Sequence, residues 1–169
     1  MRIRRATVED ITFIDHLRKQ ESEAVGFIPL VRYEMEIEGE RHGSILVCEE
    51  NSDMVGFIYA THGTDHTHIQ QIVIQEDARR RERGLCLVAA VTRPQDWLVS
   101  LRCADDLEAA HFWDALGFSP TGHVQPKSVY GRGKEKSTLP TRRKRSITKW
   151  ERIVGGLWKP KEAEANGQD

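Results

Sequence analysis

The sequence predicts a single α/β domain with mixed strand pairing. Three observations predict it: a length of 169 residues, a composition of 38% hydrophobic and 30% charged residues, and periodic segments in the order β-α-α-β-β-β-α-β-α-β. This composition excludes a wholly disordered chain, and the absence of a glycine or proline period excludes a fibrous protein. The domain is expected to span residues 1–158, with a disordered tail at 159–169.

The first half of the chain contains two predicted helices between strands. Residues 2–5 alternate as a strand does, and Thr7-Val8-Glu9-Asp10 resembles a capping box at a helix start. The buried face of that helix is expected to carry Val8, Ile11, Ile14 and Leu17. The later elements are a short helix within 26–38, strands at 44–48 and 54–60 joined by a turn at 51–53, and a strand at 68–74.

The second half alternates between helix and strand. The apolar run 85–91 indicates a buried helix, although its length also allows a strand, and Pro94 ends it. A further helix has Asp105 or Asp106 as its cap and Gly117 at its end. The other expected elements are strands at 97–103, from Phe118 and at 146–153, and a basic irregular segment at 127–145.

The charges are distributed unevenly along the chain. Residues 1–126 have a formal balance of −8, whereas residues 127–152 have a balance of +8. Arginine and lysine clusters bind phosphates, and Tyr130 and Trp150 within this segment could stack on exposed bases. The segment 127–152 is therefore predicted to contact nucleic acid, with a solvated loop as the alternative.

Membrane and secreted classes are not supported by the sequence. No apolar run approaches the ~20 residues of a membrane-spanning helix. Acidic residues follow the N-terminus before any apolar signal region develops, and the three cysteines, Cys48, Cys86 and Cys103, form no CxxC pair. We therefore expect a reduced, cytoplasmic protein without membrane contact, either a monomer or a homodimer.

The junction after Ile74 is the most informative part of the sequence. A predicted strand is followed by an arginine-rich turn at 79–84, where Gly84 opens an apolar helix. Free amides at a helix start and a glycine that permits close approach favour a bound phosphate group. A solvated basic turn is the alternative interpretation.

Two motifs carry a resemblance to a known family. Ile74-Gln75-Glu76-Asp77-Ala78-Arg79-Arg80-Arg81 followed by Gly84-Leu85-Cys86 resembles the coenzyme A-binding motif of the GNAT N-acyltransferase superfamily. Asp106-x-x-Ala109-x-x-Phe112-Trp113-x-x-x-Gly117-Phe118 resembles that superfamily's second hallmark, which has Asn, Ala, Phe, Tyr and Gly-Phe at the same spacing. The element order also matches, so the resemblance covers residues 2–123. Within the superfamily, the sequence is similar to members encoded by bacteria and their phages.

The resemblance implies a fold and a binding site. The sheet would be twisted and mostly antiparallel, with helices on its faces and an acyl-CoA cleft between two splayed central strands. Acetyl-CoA would be the acyl donor, and no metal is expected. The implied cofactor-binding residues are Ile72, Val73 and Ile74 on the strand, Arg79, Arg80, Arg81, Glu82, Arg83, Gly84, Leu85 and Cys86 in the turn and helix start, and Asp106 and Trp113 in the second motif.

The motifs leave two points open. Either Arg81-x-x-Gly84-x-Cys86 matches the family's Arg-x-x-Gly-x-Gly/Ala pattern with a cysteine in the last position, or Arg79 is the family's arginine and Glu82-Arg83 is an insertion. Trp113 replaces a tyrosine that often protonates the leaving thiolate, and an indole is no such acid at neutral pH. Tyr130 is the candidate replacement.

A histidine is the candidate general base. His68 lies six residues before Ile74 and is expected on the same strand face, where some family members carry a catalytic carboxylate; an exposed polar histidine is the alternative. The residues His62, Asp65, His66 and His68 also have spacing compatible with metal ligands.

The sequence therefore predicts an acyltransferase that moves an acetyl-type group from acyl-CoA to an amine. Direct attack in a ternary complex is what the family implies. The alternative is a protein of the same fold that binds or modifies nucleic acid and has lost or altered acyl transfer.

Overall fold

The computed structural model describes residues 1–39, 42–79, 82–105, 107–124 and 146–154. Within these residues a seven-stranded sheet has the order β1-β2-β3-β4-β5-β7-β6. The strands are β1 (Arg2–Arg5), β2 (Gly43–Glu50), β3 (Asp53–His62), β4 (His66–Ile74), β5 (Leu98–Ala104), β6 (Ser119–Val124) and β7 (Ile147–Ile153). The predicted strands are thus confirmed, including the last one.

Strand pairing is mixed but mostly antiparallel. The pair β4–β5 is parallel, and every other neighbouring pair of the described strands is antiparallel. A parallel pair needs a crossover connection, and the helix that follows β4 provides it. The mixed α/β architecture expected from the sequence is confirmed.

Helices cover both faces of the sheet. They are α1 (Ile11–Gln20), α2 (Ser22–Val25), α3 (Leu30–Ile37), α4 (Arg83–Val91) and α5 (Ala109–Ala115). On one face, Leu87 of α4 and Trp113 of α5 belong to the larger apolar cluster. On the other face, Leu17 of α1 and Tyr33 of α3 belong to the smaller one. The apolar run 85–91 is therefore helical, and its buried side chains, Leu87, Val88 and Val91, lie on one face of α4.

The start of α1 is fixed by a buried carboxylate. Asp10 accepts hydrogen bonds from the Thr7 backbone N–H at 2.7 Å and from both terminal nitrogens of Arg4 at 2.6 and 2.9 Å. The hydrogen bonds from Arg4 hold the pKa of Asp10 below its ordinary value, although burial opposes this shift. The predicted capping box is confirmed, and it joins β1 to the first helical turn.

The turn between β2 and β3 has the backbone that a two-residue hairpin requires. Asn51 and Ser52 have φ values of 51° and 74°, both in the left-handed region. Such a turn matches the right-handed twist of the flanking strands. The predicted hairpin is confirmed.

Two local predictions were wrong. Val8 is exposed, because residues 8–10 form a 3-10 turn that precedes α1 and so fall outside its apolar face. The cap of α5 is Glu108, and the carboxylate of Asp105 instead accepts hydrogen bonds from Ser146 and Thr148 at the start of β7. Gly117, with φ of 77°, ends the helix as expected.

None of the helices within the described ranges is long and apolar enough to cross a membrane. The predicted tail at 159–169 and the predicted irregular segment at 127–145 lie outside the described residues.

The Asp10 network generates a first prediction. Asp10→Ala leaves the Thr7 amide and one side of the Arg4 guanidinium without their acceptor, so the free energy of unfolding should fall by about 1.5–3 kcal/mol. Because the pKa of Asp10 is lowered in the folded protein, its contribution is present at neutral pH and declines as the pH falls below the ordinary aspartate value of 3.8.

Urea denaturation at several pH values measures this effect. Glu9→Ala is the matched control, since Glu9 is an exposed acid in the same turn, and it should change stability by less than about 0.5 kcal/mol. Equal stability of Asp10→Ala and wild type at neutral pH would contradict the prediction.

Candidate active site

The strands β4 and β5 part midway along their length. Their parallel register runs only from His66 opposite Leu98 to Ile69 opposite Leu101, although both strands continue beyond it. Past this point the strands border a cleft of about 1110 Å³. The expected cleft between two splayed central strands is therefore present.

A β-bulge in β4 lies at the apex of this cleft. Tyr59 pairs with Gln71 and the next residue, Ala60, pairs with Ile69, so Gln70 is the extra residue on β4. A bulge shifts the alternation of side chains by one residue. Accordingly, Ile69 and Ile72 both pack on the apolar cluster beneath α4, although strict alternation would place residues three positions apart on opposite faces.

The predicted strand residues divide between the two faces of the sheet. Ile72 and Ile74 line the cleft and pack against the apolar cluster on the α4 side. Val73 is buried in the opposite cluster, so only its main chain is available to a ligand in the cleft. Trp113 lines the far wall, where its ring is perpendicular to those of Phe112 and Phe118.

The turn before α4 has an unusual backbone. Glu82 is exposed and adopts φ of 59°, and α4 begins at the next residue. Gly84 follows in the first turn of α4, where a Cβ atom would lie 2.9 Å from Cζ of Phe112. Glycine therefore keeps the helix start open at the cleft and lets the Phe112 ring approach.

The arginine side chains of the turn have partners within the protein. Arg79 donates to the carbonyl of Ile74 at 3.0 Å and to Glu21 at 2.5 Å. Arg83 is buried, and its guanidinium donates to the Ala78 carbonyl at 2.7 Å and to the Glu50 carboxylate.

Sequence reasoning treated all these arginines alike, but burial separates them. Arg83 holds the turn together, because its buried guanidinium is bound to the Ala78 carbonyl and to Glu50. Leu85 is exposed and lines the cleft, whereas Cys86 is half-buried. Arg80 and Arg81 lie outside the described residues.

His68 is half-buried beside the apex of the cleft. Its Nδ1 lies 2.8 Å from Oγ of Ser100, across the last paired stretch of β4 and β5. Burial lowers the pKa of His68 below its ordinary value, and the positive charges of Arg102, His66 and Lys149 act in the same direction. The imidazole is therefore neutral at neutral pH.

The face expected for His68 was wrong. Its neighbour Ile69 packs beneath α4 in the same cluster as Ile74, so His68 points to the other side of the sheet. The bulge at Gln70 reverses the alternation between residues 68 and 74. His68 consequently faces the side of the sheet opposite α4, next to Ser100.

The surface around His68 is polar and carries cations. Arg102 pairs with Lys149 across β5 and β7, and both side chains are exposed. Lys149 also forms an ion pair with Glu151, which pairs with Ser100 in the register. Ser100 was not identified from the sequence. It is the polar residue between the buried apolar residues Val99 and Leu101, and this alternation along β5 was the signal that could have identified it.

Several predicted site residues are not brought into this arrangement. Asp106, Tyr130 and most of the segment 127–152 lie outside the described residues, so the predicted nucleic-acid contact stays a prediction. In the part of the chain that the structure describes, no group of three or more His, Cys, Asp or Glu side chains could hold a metal ion. His62 points to the α4 side of the sheet and His68 to the other, which separates the metal-like cluster.

Several solved structures resemble the fold. The ribosomal-protein-S18-alanine N-acetyltransferase from Escherichia coli has a TM-score of 0.68 and 15% sequence identity, with 99% of each chain covered. Arabidopsis thaliana NAA60 in complex with acetyl-CoA has a TM-score of 0.70 and 10% identity, covering 90% of this chain and 98% of that one.

A third similar structure is Chaetomium thermophilum Naa20 in complex with a bisubstrate analogue, with a TM-score of 0.68 and 19% identity over 90% of this chain and 86% of the other. No curated protein sequence matches the chain. Residues 10–118 match the Acetyltransferase (GNAT) family, which is more than half of the chain. With the splayed strands, the bulge and the glycine at the helix start, this match shows that the chain belongs to the GNAT acetyltransferase family.

Proposed function

We propose that this protein transfers an acetyl group from acetyl-CoA to an amine by direct attack in a ternary complex. The observation that carries the proposal is the hydrogen-bonded pair of His68 and Ser100 in the last paired stretch of β4 and β5, directly before the two strands part. A neutral imidazole there can accept a proton from an amine that approaches the cleft from the open side of the sheet.

The donor would lie between the two strands. Beyond Ile69, the edge of β4 that faces β5 has no strand paired to it among the described residues, so main-chain groups of residues 70–73 on this edge are available to the amides of the pantetheine arm. The pyrophosphate would reach the start of α4, where the first amides have no helical partner and the helix dipole favours an anion. Acetyl-CoA in the complex of a similar fold supports this donor.

The acetyl transfer would then require one general base and no nucleophilic residue of the protein. His68 takes a proton from the ammonium form of the acceptor, directly or through water, and the free amine attacks the thioester carbonyl carbon. The attacking nitrogen releases its second proton to water, and the tetrahedral intermediate collapses as the carbon–sulfur bond breaks, which leaves a neutral amide and the coenzyme A thiolate. The hydrogen bond with Ser100 fixes the orientation of the imidazole ring during the transfer.

A separate acid would protonate the thiolate. The indole of Trp113 is buried between aromatic rings and has no acidic proton at neutral pH. Tyr130 stays the proposed donor, and water is the alternative source of this proton.

Donor binding is testable by thermal denaturation. Acetyl-CoA at a hundred times its dissociation constant should stabilise the protein by about 2.7 kcal/mol, which raises the melting temperature by several degrees. Gly84→Asp should abolish this shift, because it adds a negative charge and forces the Phe112 ring away from the helix start. Ala89→Asp is the matched control, since it adds the same charge to an exposed position of α4 outside the cleft. A folded wild-type protein without any shift at millimolar acetyl-CoA would refute the donor site.

The role of His68 is testable through the pH dependence of transfer. His68→Ala should lower the rate by roughly 10²–10⁴-fold at neutral pH, the usual range for loss of a general base. Because the pKa of His68 is lowered, the wild-type rate should hold down to pH values below the ordinary histidine value of 6.5 and then fall as the imidazole is protonated. His111→Ala, at an exposed histidine of α5, should leave both rate and profile unchanged. An identical acidic limb in His68→Ala would remove His68 from the mechanism.

Glu82 generates a third test of the site. Glu82→Gly should raise stability by about 0.5–1 kcal/mol, because a non-glycine residue at this φ is strained. It should also tighten acetyl-CoA binding by roughly threefold to fivefold at low salt, since an exposed negative charge beside the pyrophosphate costs up to about 1 kcal/mol. Asn51→Gly is the control: it removes a residue at similar φ, but asparagine tolerates that backbone and lies far from the cleft. Calorimetric titration giving unchanged or weaker affinity for Glu82→Gly would contradict this placement of the phosphates.

A further inference from the structure

A second cavity lies near the end of α4, away from the turn that precedes this helix. Its volume is about 670 Å³, and its walls come from the end of β1, the start of β2, the end of β3 and the end of α4. Among its lining residues are Arg5, His42, Ser44, His62 and Arg93. The acetyl-transfer mechanism uses none of these side chains.

A continuous chain of hydrogen bonds ends in this cavity. Oγ1 of Thr67 donates to Asp96 at 2.6 Å and lies 2.8 Å from Nδ1 of His62. Nε2 of His62 lies 2.9 Å from Oγ of Ser44. Asp96 and Thr67 are fully buried, whereas Ser44 is partly exposed in the cavity wall. Asp96 is held in place by Arg93, which donates to it from its backbone N–H at 2.8 Å and from its guanidinium at 2.6 and 3.0 Å.

The direction of each hydrogen bond follows from the carboxylate. The hydroxyl of Thr67 has one proton, and that proton is donated to Asp96. Thr67 must therefore accept from His62, which places the imidazole proton on Nδ1. In the neutral ring Nε2 is then an acceptor, and Ser44 donates its hydroxyl proton to it.

The neutral state of the ring is supported by its surroundings. Burial and the positive charge of Arg93 lower the pKa of His62, and Arg5 acts in the same direction. The carboxylates of Asp96 and Glu36 oppose this shift but do not outweigh it.

We propose that Ser44 is an activated nucleophile, with His62 as its base and Thr67 and Asp96 as positioning residues, in a site for small carboxylic esters that carry a negative charge. The arrangement is that of a serine–histidine–carboxylate system with one hydroxyl inserted between the imidazole and the carboxylate. The negative charge is inferred from Arg5 and His42, which supply positive charge or hydrogen-bond donors at the wall of the same cavity, whereas the charge of Arg93 is balanced by Asp96.

The reaction is ester hydrolysis with water as co-substrate. Oγ of Ser44 forms a bond to the carbonyl carbon while its proton passes to Nε2 of His62. The bond to the alcohol oxygen breaks, and the alcohol leaves with that proton. Water then attacks the acyl-serine, its proton passing through the same nitrogen, which yields the carboxylic acid and restores Ser44.

The test is covalent labelling followed by turnover. The full chain is incubated with an alkyl fluorophosphonate, in which Ser44 displaces fluoride from phosphorus, and intact and peptide mass spectra locate the adduct. We expect one adduct, on Ser44, and none in Ser44→Ala. His62→Gln and Thr67→Val should slow labelling by roughly a hundredfold or more and by a smaller factor, respectively. Ser119→Ala, at an exposed serine of β6, should label as wild type does.

Hydrolysis of para-nitrophenyl hydrogen succinate and of para-nitrophenyl butyrate then tests the charge preference. Wild type should favour the anionic ester, and Arg5→Ala should remove that preference while retaining turnover of the neutral one. Melting temperatures confirm that each variant is folded. Absence of an adduct on Ser44 in folded wild type would overturn the proposal, as would labelling of Ser44 at the wild-type rate in folded His62→Gln. Neither outcome bears on acetyl transfer, because Ser44 and His62 lie outside the cleft between β4 and β5.

Discussion

The separation of β4 from β5 is the constraint on which the rest of the site depends. Two parallel strands that stay paired leave no room between them, but here the register ends at Ile69 and Leu101. Both strands remain anchored on their outer sides, β4 by β3 and β5 by β7, so the separation does not unravel the sheet. Unpaired backbone in a protein interior is costly unless a ligand or water satisfies it. The main-chain groups that border the cleft are therefore able to form hydrogen bonds with a bound ligand.

The bulge at Gln70 places His68 on one face of β4 and the apolar residues Ile72 and Ile74 on the other. Without it, residues 68, 72 and 74 would all face α4, and a base at 68 would be buried beneath that helix. The extra residue turns His68 to the opposite face while Ile72 and Ile74 keep the apolar contacts that hold α4 against the sheet. In the proposed ternary complex, the acetyl donor and the acceptor amine would then approach the apex from different sides.

Periodicity predicted the elements well because burial sets it directly. The hairpin at 51–53 and the helix after Gly84 follow from alternation, turn residues and apolar runs, although only one face of that helix is buried. The bulge left no such signal, since Gln70 is as polar as the neighbouring Gln71, and its effect on His68 follows only from the register with β3. Nor could the sequence separate Arg83 from the other arginines of its turn; that depends on Glu50 arriving from a distant strand. Local composition specifies elements, whereas the site depends on contacts between residues far apart in sequence.

Two histidines of neighbouring strands show how such contacts set chemistry. Each is buried enough to lower its pKa, and each has a serine hydroxyl within 2.9 Å of one ring nitrogen. For His68 the partner is on Nδ1, which leaves Nε2 to meet a substrate proton. For His62 both ring nitrogens have hydrogen-bond partners, and the buried carboxylate of Asp96 sets the direction of the series of hydrogen bonds that ends at Ser44. An imidazole that has one nitrogen open can accept a proton from a substrate amine. An imidazole whose two nitrogens both have hydrogen-bond partners can instead accept the proton of the hydroxyl that is bound to it. The different chemistry proposed for the two sites follows from which nitrogen the fold leaves open.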